Sequence, residues 1–314
     1  VLPYVQHAIG RVRVTDDGKP PTRSGGAATL STAPEPRPGV ASVTPRAWEK
    51  AVGWDRPSTE EASLLFVDDG PDTTDRFTQG AWEQFRDSPP GVATYDGSVS
   101  MAALRQHLAE GQLYVHYGGR VTSDGFVCAD GVLPFRDLPD GAIGVLSVDW
   151  RDRSIPDSIR GAAAVVALAT DPLEPAESRR FGKLISLGFS PTVAADIADI
   201  ADRVRFVGDA SRPFVNRQSG SPPTLLRIEQ VGDDQYRVTA TFGFNDPDGL
   251  GQINQLVFDD TADTFQLAGT SYRLDGPLSS TEIDEELIFD SIPLFVENSL
   301  EAATTDPIDD LLTK

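Results

Sequence analysis

Cysteine is nearly absent. Cys128 is the only one in 314 residues, which excludes an intramolecular disulfide and a cysteine-based zinc cluster. No histidine lies near it in sequence, so it reads as a small buried hydrophobe. The three histidines, His7, His107 and His116, show no metal-ligand spacing. Lysine is almost as scarce, with only Lys19, Lys50, Lys183 and Lys314, and 27 basic residues face 48 acidic ones for a net charge of −21. Phosphate recognition needs a basic footprint, and its absence argues against nucleic acid as a partner. The longest apolar run, "GAAAVVALA" at 161–169, falls well short of the ~20 residues of a membrane helix, so no membrane span is expected. No secretory signal is read and the first residue is not methionine, so Val1 is expected to be a processed end or a non-AUG start read as valine. A G-x-S-x-G elbow, H-E-x-x-H, a phosphate loop and G-x-G-x-x-G after a strand are all missing. No cofactor is implied, and the chain is expected not to be an enzyme.

What remains is acid and alternation. The aspartate-rich, lysine-poor composition resembles that of proteins from extreme halophiles, where dense carboxylates keep a protein hydrated in concentrated salt. Residues 1–43 read as a strand, with Ile9, Val12 and Val14 before an Asp17–Gly18 turn, followed by an extended Pro/Gly/Ser/Thr-rich arm. Residues 44–211 mix helix and strand signals. Thr44 with Pro45 starts one helix; Ser100 caps another that stops at Gly111; strand-like runs fill 112–150. Gly188 ends a third helix, and Ser190 with Pro191 starts a fourth, whose face is Val193, Ile197, Ile200, Ala201 and Val204. Residues 212–223 read as a linker. In 224–298 short runs alternate, as where Tyr236, Val238, Ala240 and Phe242 interleave with Arg237, Thr239 and Thr241. The tail, 299–314, carries Ile308, Leu311 and Leu312 on what reads as a docking helix. The expected class is α+β: a mixed α/β region followed by a small antiparallel β-sandwich.

Two stretches invite chemistry. "NDPDGLG" at 245–251 spaces Asp246 and Asp248 as calcium loops do, with Asp259 and Asp260 beyond, but placing Gly249 sixth puts Phe244 at the first ligand position. The EF-hand reading fails; an irregular metal site at Asp246, Asp248 and Asp259 stays open beside a solvated acidic turn. In "LYVHYGG", Tyr114, His116 and Tyr117, together with Trp150, either form a surface-binding patch for a glycan or host surface or pack a strand.

"YRVTATFGFNDPDGLGQINQLVFDD" followed by "FQLAGTSYRLDGPLSSTEIDEELIFDSIPLF" resembles a small β-domain of tail-fibre, baseplate and other appendage proteins of tailed viruses. Ile253, Asn254, Leu256 and Phe258–Asp259 match its "I-N-E-x-G-L-F-D"-like strand, with Gln255 for the usual acid and Val257 for a small residue, and "LSSTEIDEELIF" matches its step into a long final strand. The resemblance covers about a quarter of the chain. It implies an assembly and core role for Ile253, Asn254, Leu256, Phe258, Leu287 and Phe289. It implies a virion structural protein of a tail, baseplate or fibre, with copies of itself, other virion proteins and the host cell surface as partners. A capsid decoration protein, a host-surface binding module and an acidic hydrolase of a halophile are the alternatives.

The charge balance makes a direct prediction. Screening length grows from ~3 Å near 1 M salt to ~10 Å at 0.1 M, so carboxylate repulsion grows with it. The melting temperature should fall as salt is lowered over that range; a flat or rising one removes the halophile reading.

Overall fold

Runs such as "VVALA" at 165–169 show no alternation because they are buried on both faces, the mark of a parallel strand in a covered sheet. The computed structural model describes residues 41–42, 53–59, 61–68, 91–139, 141–150, 157–216, 223–243, 253–255, 265–267, 271–273, 277–287, 294–296 and 299–301. The chain divides into two units, residues 1–78 with 89–220, and 79–88 with 221–314, and each contains helices and strands. The division between 220 and 221 falls inside the segment expected as a linker. Residues 212–216, however, are packed into the first unit. Arg212 pairs with buried Asp209 at 2.8 Å, Phe214 and Val215 are buried, and the Asn216 N–H donates to Pro57 O.

The first unit is built on seven strands: β1 (Ala41–Ser42), β2 (Leu64–Asp68), β3 (Val92–Asp96), β4 (Gln112–Tyr117), β7 (Ile143–Asp149), β8 (Val165–Ala169) and β9 (Val204–Gly208). Their order in the sheet is β1-β9-β8-β7-β4-β2-β3. β2, β3, β4, β7 and β8 run parallel, and β9 returns antiparallel to β8. A hairpin, β5 (Gly125–Cys128) and β6 (Gly131–Pro134), stands between β4 and β7. Among the described residues, four helices serve the sheet: α1 (Met101–Ala109), α2 (Asp157–Ala162), α3 (Pro175–Ser186) and α4 (Pro191–Ile197). α1 starts as expected, with the Ser100 hydroxyl accepting the Ala103 N–H at 3.2 Å, and buries Leu104 and Leu108 one turn apart.

Both sheet faces are covered. Leu65, Val67, Val115, Tyr117, Leu146 and Val148 join α1, the hairpin and α2 in one apolar cluster. On the other face α3 lies against Tyr114 and Phe66, close enough that a β-carbon at Gly182 would stand 2.7 Å from the Tyr114 ring. α4 is shorter than the periodicity predicts. Asp199, at φ +58°, turns the chain out of the helix, and Val204, expected on its face, opens β9 instead.

The second unit contains β10 (Thr224–Gly232), β11 (Gln235–Phe242), β12 (Ile253–Gln255), β13 (Phe265–Leu267), β14 (Ser271–Arg273), β15 (Leu294–Val296) and β16 (Ser299–Glu301). One sheet has the order β14-β11-β10-β15-β16, and β12 pairs with β13 in a separate two-stranded ladder. Tyr236, Val238 and Ala240 are buried between half-buried Arg237 and Thr239, the alternation expected. β15 runs parallel to β10, so this sheet is mixed, not wholly antiparallel. Of the final strand-length run expected over 280–296, Leu294–Val296 is strand, but Ser280–Leu287 is a helix, α5. Ser279 and Glu282 form its capping box: the Glu282 carboxylate accepts the Ser279 N–H at 2.8 Å, and the Ser279 hydroxyl accepts the Glu282 N–H at 3.3 Å.

Several expectations lie outside the described residues: the first 40 residues, the helix from Thr44, and the docking helix of the tail, of which only 299–301 is described, as strand β16. So do Leu256, Phe258, Phe289 and the candidate metal ligands Asp246, Asp248 and Asp259. Ile253 and Asn254 pair with Leu267 and Gln266 in the β12–β13 ladder, and Leu287 closes α5.

Candidate functional site at the carboxyl edge of the parallel sheet

From β2 the chain places β3 on one side and β4, β7 and β8 in succession on the other, so the winding direction reverses between β2 and β4. Open α/β sheets bind ligands outside the carboxyl ends of their strands at such a reversal. The ladders set Val67, Tyr117 and Val148 level with one another. One residue further along stand Asp68 at the end of β2, Gly118 after β4 and Asp149 at the end of β7. With ~4.8 Å between neighbouring strands, the two aspartates sit on backbones ~10 Å apart, and the residue between them has no side chain. The Gly118 N–H donates to Val67 O at 2.7 Å, and the Trp150 N–H to Ala169 O at 2.8 Å. Gly119 is buried, Arg120 exposed, and Asp149 and Trp150 half-buried.

Immediately behind this row His116 is 3% exposed, with Nδ1 3.3 Å from the Ser147 hydroxyl. Burial lowers its pKa to about 4 and pushes the neighbouring Tyr114 phenol well above its ordinary value. These groups belong to the interior. Tyr114, His116 and Tyr117 are at most 3% exposed, because helices or the hairpin cover both faces of β4; the expected surface patch of these residues with Trp150 is therefore corrected. Only Trp150 of the four reaches the edge. Its indole leans on the apolar cluster that also holds Tyr117. Cys128 is buried, its thiol 3.8 Å from Phe126 O. Among the described residues no three His, Cys, Asp or Glu side chains gather as a metal site, and no helix is long and apolar enough to cross a membrane.

None of Asp68, Gly118, Gly119 or Asp149 was singled out by the sequence. The available signal was that "LLFVDD" and "VLSVDW" are apolar strands ending on aspartate, and that a glycine pair follows "LYVHY". A second hollow, a bowl of about 870 Å³, lies at the opposite, amino edge among Trp54, Ser63, Gln112 and Ile143.

No family model and no curated protein sequence matches the chain. Among solved structures, the chain is similar to the complex of Porphyromonas gingivalis RgpB pro- and mature domains. That match has a TM-score of 0.37 and 10% identity, over 62% of this chain and 59% of that one. It is also similar to the Arg-specific cysteine proteinase gingipain R, with a TM-score of 0.36 and 10% identity, over 62% of this chain and 58% of that one. The expectation that the chain is not an enzyme is withdrawn, because the solved structures it resembles are those of a proteinase. At these scores the likeness assigns no activity to this chain.

The buried imidazole fixes a pH dependence. His116 stays neutral in the fold down to about pH 4, whereas in the unfolded chain it takes up a proton near its ordinary value of 6.5. Between those values the unfolded state binds more protons, so stability should fall by up to about 1.4 kcal/mol per pH unit as the solution is acidified. Urea unfolding from pH 7 to pH 4 should show that slope, and a His116→Asn variant should flatten it. An unchanged slope in the variant assigns the loss to other groups.

Proposed function

We propose that the chain is a recognition protein that holds a basic side chain of a partner polypeptide at the carboxyl edge, between β2 and β7. The observation that carries this reading is the level row of Asp68, Gly118 and Asp149 at the point where the sheet reverses direction. The Asp149 carboxylate on β7, with no side chain at Gly118 on the neighbouring strand, leaves a slot of the right sign for a guanidinium or ammonium group. Trp150 beside it offers the rigid aromatic surface on which protein-binding sites concentrate their energy. In anisotropy titrations, an arginine-bearing decapeptide should bind at least tenfold tighter than its citrulline twin, and Asp149→Asn should erase the difference. Equal binding of the two peptides, or an Asp149→Asn variant that still discriminates, overturns the reading.

A second proposal concerns the other unit. Its β10–β11 hairpin, extended by β14 and β15, supports reading it as an assembly domain, with the finer form of a small β-sandwich, in a tailed-virus virion. α5, where the resemblance calls for a strand, counts against that resemblance. The assembly reading requires sedimentation in molar salt to give a trimer or larger ring; a monomer at high concentration refutes it.

A further inference from the structure

At the amino edge, opposite the carboxyl-edge site, the first strand residues leave the bowl of about 870 Å³, a volume within the ~300–1,000 Å³ usual for small-molecule sites. Its deepest lining residues are apolar, the buried Leu113, Ile143, Ala163 and Ala164, and the exposed Gly141 and Gly161 put no side chain in its way. Trp54 forms one wall. The indole is seated by Gly144, where a β-carbon would come within 3.0 Å of the ring, so the wall is fixed in place by packing.

Three features give the bowl one sign. Asp55, Glu61 and Glu110 line it, and no lysine, arginine or histidine is among the described residues that do. Glu61 accepts the Ser58 N–H at 3.2 Å and its O–H at 3.0 Å, bonds that hold its carboxyl below the usual range and keep it ionised. α1 and α2 both end at the bowl, through Glu110 and Gly161–Ala162, and a helix carboxyl end carries partial negative charge. Carboxylates alone single out nothing in a chain of net charge −21. The indole and the apolar lining do, because an aromatic face attracts a cation and also buries the apolar groups attached to it.

We propose that this bowl binds a small organic cation of the alkylammonium class, held between the Trp54 indole and the carboxylates of Asp55 and Glu110. A hydrated metal ion would leave the apolar wall and floor unused, whereas an ammonium bearing methyl groups uses wall, floor and charge together.

Choline and its neutral isostere 3,3-dimethylbutan-1-ol test this on the full chain, read by the indole N–H resonances in 1H–15N spectra, with Trp54 identified by a Trp54→Phe variant. Choline should move the Trp54 resonance saturably, leave that of Trp150 in place, and bind at least tenfold tighter than the alcohol. Glu110→Gln, at an exposed position, should weaken choline several-fold while the melting curve stays unchanged. Equal binding of alcohol and choline, the same shift from potassium chloride at equal ionic strength, or no shift at all overturns the proposal. Asp149→Asn should leave choline binding intact, so failure of the carboxyl-edge reading and failure of this one are distinguishable.

Discussion

Tyr114 and the α3 backbone share a space that exists only because residue 182 has no β-carbon. That contact sets how closely α3 approaches the centre of the sheet, and much else depends on it. The Phe181 ring meets Tyr114 edge-on at 5.6 Å, Phe66 flanks it at 5.6 Å, and Phe206 of β9 reaches Phe181 from the far side. A helix laid this low shuts water out of the strands beneath it, which is why His116 and Ser147 have each other as partners and why the imidazole resists protonation. With its interior residues committed to packing, β4 can offer ligands only its two ends, Gln112 and Leu113 at the amino edge and the Gly118–Gly119 pair with Arg120 just past its carboxyl end. The same packing that fixes the core therefore confines recognition chemistry to the edges of the sheet.

Local signals were legible and long-range ones were not. Ser100 and Gly111 bound α1 because capping and a left-handed glycine, here at φ +78°, are decided within a few residues. The β10–β11 hairpin was legible because one of its faces is wet, leaving period two in the sequence. The parallel sheet leaves no such trace: its partners are distant in sequence, and coverage on both faces erases alternation. For the same reason Tyr114 and Tyr117, on opposite faces, could not be told from exposed aromatics. α5 was missed although Ser279 and Glu282 spell a capping box, since the strand pattern around them outweighed it. Asp68 and Asp149 were invisible as a pair, because only the register of β2 and β7 on β4 makes them one.

The abundant acid is not only a solvation shell. Glu282 closes a capping box with Ser279, Glu177 serves Glu174 in the same way at the start of α3 while pairing with Arg203, and Glu61 closes the turn at Ser58. Asp130 takes the Met101 N–H at 2.7 Å, at the first residue of α1. Asp234, in a left-handed conformation at the β10–β11 turn, accepts the Ser280 N–H at 2.9 Å and so ties that hairpin to α5. Hydrogen bonds from Ser58, Ser279 and Ser280 hold the Glu61, Glu282 and Asp234 carboxyls below their ordinary pKa values, so these carboxylates stay charged in mildly acidic solution. Helix ends are where a carboxylate does more than repel its neighbours.

The first strand of the large sheet pairs with the last: Ala41 lies beside Phe206, and Ser42 beside Val207. During synthesis β1 leaves the ribosome about 160 residues ahead of this partner, a wait of roughly ten seconds or more at ordinary elongation rates. Until Val204–Gly208 arrive, the outer edge of β8 is also open, so every nascent chain passes through a stage with an unpaired apolar strand edge. The arrival of β9 closes both at once. A polypeptide ending before that strand would keep its hydrophobic interior yet remain adhesive, which makes this short segment the point at which a growing chain stops being a hazard to its neighbours.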